Sequence, residues 1–154
     1  MTSGTLRALA LEVLESMRGR KIWRSELGVG SFVTLDIGGR RVNSVGHEQG
    51  EFYLWVYGAP WLIFRRGEIE TSSSDPEAQM RITTAQLAGR TIRKVSMDPI
   101  DLGLDVSIDG EIRLSTSGLD DPELEDWMLF MPDGTVLTAQ QGILTLERAD
   151  APPG

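Results

Sequence analysis

The sequence predicts a mainly β (α+β) fold, in which two tandem pseudo-repeat antiparallel β units share one core as a barrel or a sandwich, with an N-terminal amphipathic helix. Three observations predict it. Trp127, Phe130, Gly134, Val136 and Thr138 repeat the plan of Trp61, Phe64, Gly67, Ile69 and Thr71; in each copy a Trp-led apolar run is broken by Gly and resumes on a β-branched residue, which reads as a hairpin. The frame from Gly50 through Leu54 to Gly58 recurs from Gly110 through Leu114 to Gly118. Val33, Leu35 and Ile37 alternate with Thr34 and Asp36, as Leu104, Val106 and Ile108 alternate with Asp105 and Ser107, the period of a strand with one apolar face. A repeat of roughly 65 residues is one whose unit buries its apolar face against its neighbour.

The elements follow in order. Leu6, Leu9, Ala10, Val13, Leu14 and Met17 recur at three- and four-residue intervals within residues 5–18, the signature of an amphipathic helix. Ser3 or Thr5 is its expected cap, and Gly19 the left-handed residue that ends it. The exit Met17, Gly19, Arg20, Ile22 is echoed by Leu87, Gly89, Arg90, Ile92, so each unit leaves a helical turn through Gly and enters a strand. Pro132, Asp133 and Gly134 supply turn chemistry to the second Trp hairpin: a fixed φ, a local acceptor and a residue tolerant of positive φ. The organisation is therefore a helix at 1–18, a first β unit at 19–74, a second at 75–149 opened by a short helix, and a disordered tail at 150–154, all in one compact domain.

The copies differ in three places. Residues 38–49 stand where the second copy has only Asp109, which predicts a long, mobile hairpin loop. The acidic insertion 119–126 stands where the first copy has Ala59 and Pro60, and Asp121, Pro122 and Glu123 fit the start of a single helical turn. Tyr53, Trp55 and Tyr57 occupy the positions of Arg113, Ser115 and Ser117. A strand apolar on both faces needs cover on both. The N-terminal helix is the expected cover, with a homodimer interface or a ligand cleft as the alternatives.

Composition removes several function classes. The 154 residues contain no Cys and one His, His47, so disulfides, thiolate chemistry and multi-histidine metal sites are excluded. Glu12 and Glu15 interrupt any signal-like apolar core, and the apolar run 52–64 is broken by Gly58 and Pro60; a soluble, cytoplasmic protein without a membrane span is expected. The net charge of −8 is uneven, residues 95–154 holding thirteen acids against Arg113 and Arg148. Such a balance disfavours nucleic acid and favours a basic protein partner.

Asp98, Asp101, Asp105 and Asp109 form the nearest approach to a metal or acid–base cluster, yet their alternation with Leu102, Leu104, Val106 and Ile108 is that of a solvated strand face. His47 and Ser44 share the inserted loop without the surroundings of a nucleophile elbow. Gly28 and Gly30, like Gly38 and Gly39, lack the spacing of a nucleotide-binding loop. No catalytic residue, metal or cofactor is expected.

Leu87, Gly89, Ile92, Val95, Leu102, Leu104, Gly110, Leu114, Trp127, Leu129, Pro132 and Gly134 together resemble small bacterial β-rich domains of uncharacterised function, some of them presumed immunity proteins that accompany secreted toxins. The resemblance implies a non-enzymatic, immunity-like binding protein and supplies no catalytic residues. Its expected partner surface is Asp120, Asp121, Glu123, Glu125 and Asp126, five acids that the sister copy lacks. The alternative is a small-molecule binder or hydrolase with a cleft near Tyr53, Trp55 and His47.

Overall fold

A computed structural model describes residues 2–42, 45–118 and 121–148. Ser44, Asp120 and the expected tail at 150–154 lie outside the described residues. The element order is α1 (Ser3–Ser16), β1 (Ile22–Leu27), β2 (Val33–Val42), β3 (Glu48–Val56), β4 (Trp61–Arg65), β5 (Glu68–Ser72), α2 (Glu77–Ala85), β6 (Ile92–Met97), β7 (Leu104–Ile108), β8 (Ile112–Thr116), β9 (Trp127–Phe130), β10 (Thr135–Gln140) and β11 (Ile143–Arg148).

These strands make two antiparallel sheets, ordered β1-β2-β3-β9-β10-β11 and β5-β4-β8-β7-β6. Neither closes into a barrel. Each sheet mixes the two units: β4 leaves its own unit to pair with β8, and β9 leaves its own to pair with β3. The alternating apolar residues therefore meet across the units. Leu35, Ile37 and Leu54 of the six-stranded sheet and Ile63, Val106 and Leu114 of the five-stranded sheet are each buried in one common core.

An approximate twofold relation is visible in the backbone. The echoed segments pair with each other: Lys21 bridges Thr91, Gly19 N–H donates to the Ile92 carbonyl (2.8 Å) while Gly89 N–H donates to that of Ile22 (2.6 Å), and Ile22 N–H reaches Arg90 as Ile92 N–H reaches Arg20. The two Trp residues that open β4 and β9 follow the same rule. Trp61 Nε1 donates to the Ser31 carbonyl at 2.7 Å and Trp127 Nε1 to the Leu102 carbonyl at 2.8 Å. Both rings are fully buried, so each combines a large apolar contact with a satisfied polar tip.

The amphipathic helix forms as expected, but Thr2 is its cap, its side chain accepting from Thr5 N–H, and Gly19 adopts φ +81° just beyond it. Its apolar face does not lie on the aromatic stripe of β3. It packs against β6 and β11, one edge of each sheet, while α2 packs against β1 and β5 at the opposite edges. Each helix thus seals a gap between sheet edges that strand exchange leaves open, where Leu14 and Met17 reach the core. Residues 38–49 also differ from expectation. β2 and β3 continue as a paired arm through Arg40–Gly50, Arg41–Gln49 and Val42–Glu48 after a bulge at Ile37/Arg40, which shortens the loop. The second Trp hairpin turns as predicted, with Gly134 at φ +86° and Asp133 Oδ1 accepting from Thr135 Oγ1 and Thr135 N–H, bonds that hold the Asp133 carboxyl below its ordinary pKa. Among the described residues no helix is long and apolar enough to cross a membrane.

Candidate functional site

Outward-facing residues of the six-stranded sheet are set in rows by its register. Thr34 pairs with Trp55 and Trp55 with Met128; in the next row Asp36 pairs with Tyr53 and Tyr53 with Phe130. Phe32 and Tyr57 extend the group beyond the ends of β2 and β3. The result is a continuous aromatic band: Phe32 meets Trp55 (5.2 Å between ring centres) and Tyr57 (5.1 Å), and Trp55 meets Phe130 (4.8 Å) and Tyr53 (5.8 Å). Phe32–Trp55, Phe32–Tyr57 and Tyr53–Trp55 are edge-to-face contacts, the geometry ring quadrupoles favour. Tyr57 is 41 % exposed and the other four rings are half-buried.

On the equivalent face of the five-stranded sheet the central strand β8 is polar, with Arg113 and Ser115. Arg113 pairs with Phe64 as Tyr53 pairs with Phe130, and Ser115 pairs with Leu62 as Trp55 pairs with Met128. The fold is therefore built without aromatic residues at the Tyr53 and Trp55 positions. A second contrast lies in the indole groups, for the Trp55 Nε1 is buried without an acceptor among the described residues, whereas Trp61 and Trp127 have theirs.

The acidic segment adjoins one end of this band. Tyr57 N–H donates to the Asp126 carbonyl (3.1 Å) and Gly58 N–H to that of Glu125 (2.8 Å), while Ser117 N–H donates to Pro60 in the sister position. The insertion is thus a bulge added to a connection both units share. It sits close: a Cβ on Gly58 would fall 2.6 Å from Leu124 Cβ and 2.8 Å from the Glu125 carbonyl oxygen. Gln140 Nε2 holds the far side through the Pro122 carbonyl at 2.9 Å. Asp121 Oδ1 accepts from Glu123 N–H at 2.9 Å, making a turn where a helical turn was expected.

Of the five acids expected at a partner surface, Asp120 lies outside the described residues, Glu123 is exposed, and Asp121 and Glu125 are half-buried. Asp126 is only 1 % exposed. Its backbone enters β9 at the position of Pro60 and its carboxylate lies against Gly118, so it belongs to the connection and not to the open surface.

The other candidates are accounted for by local structure. Asp98 Oδ1 accepts from Asp101 N–H and Ile100 N–H, in that order the causes that lower its pKa. Asp101 accepts from Gly103 N–H (2.8 Å), Asp109 from Thr91 N–H (3.2 Å), and Asp105 faces Arg113 at 3.3 Å. A shallow groove of about 300 Å³ there includes Asp98, Asp101, Asp105 and Ser115. No group of three or more His, Asp or Glu among the described residues is arranged to hold a metal. On the other sheet, Asp36 is buried and accepts from Arg24 Nε and Gly50 N–H, both at 2.8 Å; the hydrogen bond to Asp36 is the first cause of a raised Arg24 pKa. His47 precedes β3 at the arm, and Trp55 follows it by eight residues of strand, about 26 Å at the usual rise.

No local pattern joins Phe32, Met128 and Phe130 to the stripe of β3. The β3–β9 pairing, which crosses between units, brings in Met128 and Phe130, while Phe32 arrives at the start of β2 beside Trp55 and Tyr57. Comparison with family models, curated proteins and solved structures finds no match.

Proposed function

We propose that this chain is a non-enzymatic, immunity-like binding protein that engages a basic protein partner through the acidic segment 121–125. One observation carries the reading. The two stretches that differ most between the copies, the aromatic stripe of the first and the acidic insertion of the second, converge on the same end of the six-stranded sheet because β9 pairs with β3. Repeated positions build the core; a departure from the repeat is free to serve another purpose. Like charges gathered in a short turn repel one another, so Asp121, Glu123 and Glu125 are not there to stabilise the fold. Facing a basic partner they accelerate encounter, and the acceleration fades as salt screens charges over about 8 Å at physiological ionic strength.

The test compares wild type with Asp121→Asn/Glu123→Gln/Glu125→Gln in partner capture, followed by association rates across a salt series. Neutralisation should slow association at least tenfold at low salt and flatten the salt slope, with the melting temperature nearly unchanged. Equal rates and slopes for both proteins would reduce the segment to a solubilising turn.

A further inference from the structure

We infer that the aromatic band is an arginine-binding surface, on which a guanidinium of the basic partner stacks on the Trp55 and Tyr57 rings while Glu123 or Glu125 pairs with its charge. This rests on the preceding reading of the acidic segment and adds to it the chemistry of the partner's side chain.

The internal repeat supplies the argument. In the five-stranded sheet Phe64 stands where Phe130 stands in the six-stranded sheet, and its cross-strand neighbour Arg113 lays its guanidinium over the ring, 4.2 Å from the centre. That cation is balanced by Asp105 at 3.3 Å. The sister ring Phe130 has Tyr53 (6.0 Å between ring centres) and Trp55 (4.8 Å) as its neighbours instead, so where one sheet carries its own guanidinium over a ring the other presents a cluster of rings. The remaining described cation–ring contacts fall on Trp23, from Arg24 and Arg40, and on Phe52, from Arg20. The rings of the band contact one another.

The chemistry suits arginine better than lysine. Guanidinium is planar, weakly hydrated and able to stack on a ring while its edge donates to a carboxylate; ammonium is compact and strongly hydrated. The half-buried Trp55 and the exposed Tyr57, next to a segment that carries the exposed Glu123 and the half-buried Glu125, offer both kinds of contact. Trp and Tyr also give large contact area at small entropic cost, which is why they concentrate where binding energy does. Because Ser115 and Ser117 hold the same frame in the sister strand, Ser at positions 55 and 57 is compatible with the fold.

The probes are arginine and lysine homopeptides of equal length, titrated against the full chain by intrinsic tryptophan fluorescence and by the NMR signal of the Trp55 indole. Wild type should bind the arginine peptide about threefold to fivefold more tightly than the lysine peptide, with the Trp55 signal shifted by arginine. Trp55→Ser/Tyr57→Ser should bind both peptides equally, and Tyr57→Ser alone should lose part of the preference. Asp121→Asn/Glu123→Gln/Glu125→Gln should weaken both peptides in proportion, keeping the preference. Equal binding of the two peptides by wild type, or a preference that survives at Trp55→Ser/Tyr57→Ser, overturns the arginine proposal while leaving the acidic reading intact. Binding indifferent to the three acids overturns the acidic reading, and no binding of either peptide overturns both.

Discussion

Trp127 shows how much one side chain does in this molecule. Its ring is fully buried, it opens the strand that crosses between units, and its indole N–H satisfies the carbonyl of Leu102, a non-glycine residue held at φ +64°. Left-handed backbone is unfavourable for leucine, and Leu102 is itself buried, so the hydrogen bond and the packing together hold the loop before β7. Trp127→Ala should cost on the order of 3–5 kcal/mol from the lost ring and its cavity. Trp127→Phe keeps most of the apolar contact but leaves the Leu102 carbonyl without its donor, at a cost of about 1–3 kcal/mol. Denaturant midpoints check both, and exchange of the amides in residues 98–103 should quicken in Trp127→Phe. An unchanged midpoint in Trp127→Ala would mean that the ring does not bear on the core. The burial of both Trp residues was legible in the sequence because each begins a matched apolar run. Their shared carbonyl partners were not, since Ser31 and Leu102 carry no side-chain feature that announces an acceptor.

At the scale of elements, local periodicity predicted what each segment is but not what it covers. The spacing of Leu6, Ala10, Leu14 and Met17 specifies an apolar helix face, and the alternation of Tyr53, Trp55 and Tyr57 specifies a second apolar strand face; matching the two is the economical inference, and it is incorrect here because the sheet edges need the helices more. The extra length of residues 38–49 over the second copy predicts a loop, yet backbone pairing carries β2 and β3 outward. The turn at Asp133 and Gly134 was fully legible, its chemistry being local. Gly58 offers a test of how elements are placed on the candidate surface. A methyl there cannot coexist with Leu124 Cβ and the Glu125 carbonyl where they stand, so Gly58→Ala must shift the acidic segment while removing no charge. Stability should fall by about 1–3 kcal/mol, as for other overpacked sites, and affinity for the arginine peptide should fall severalfold. If Gly58→Ala binds as wild type does, the position of the segment relative to Tyr57 has no part in recognition.

The whole molecule is organised by exchange. Because β4 and β5 complete the sheet begun by β6, β7 and β8, and β9 and β10 complete the one begun by β1, β2 and β3, neither unit possesses a finished sheet. The same holds for the helices, since α1 seals β6 and α2 seals β1, each serving the other unit's strand. Duplication was legible in the sequence, as was the shared core; exchange was not, because a repeat looks the same whether its hairpin folds back on its own strands or on its sister's. Exchange also explains why the departures from the repeat gather on one sheet, joining a stripe from the first unit to an insertion from the second. It makes a prediction that side-by-side units would not. Cleaving the chain between Ser73 and Ser74, in the turn that links the units, yields two fragments that each expose the apolar faces of β3 and β4 or of β8 and β9. Neither fragment should show cooperative unfolding alone, and both should bind dye that reports exposed apolar surface. Mixed at equal concentration they should recover the native circular dichroism and a single transition, at a rate that rises with concentration because the sheets now close between molecules. A fragment that folds cooperatively by itself would show that its hairpin can pair within its own unit, and the core would then be two cores in contact.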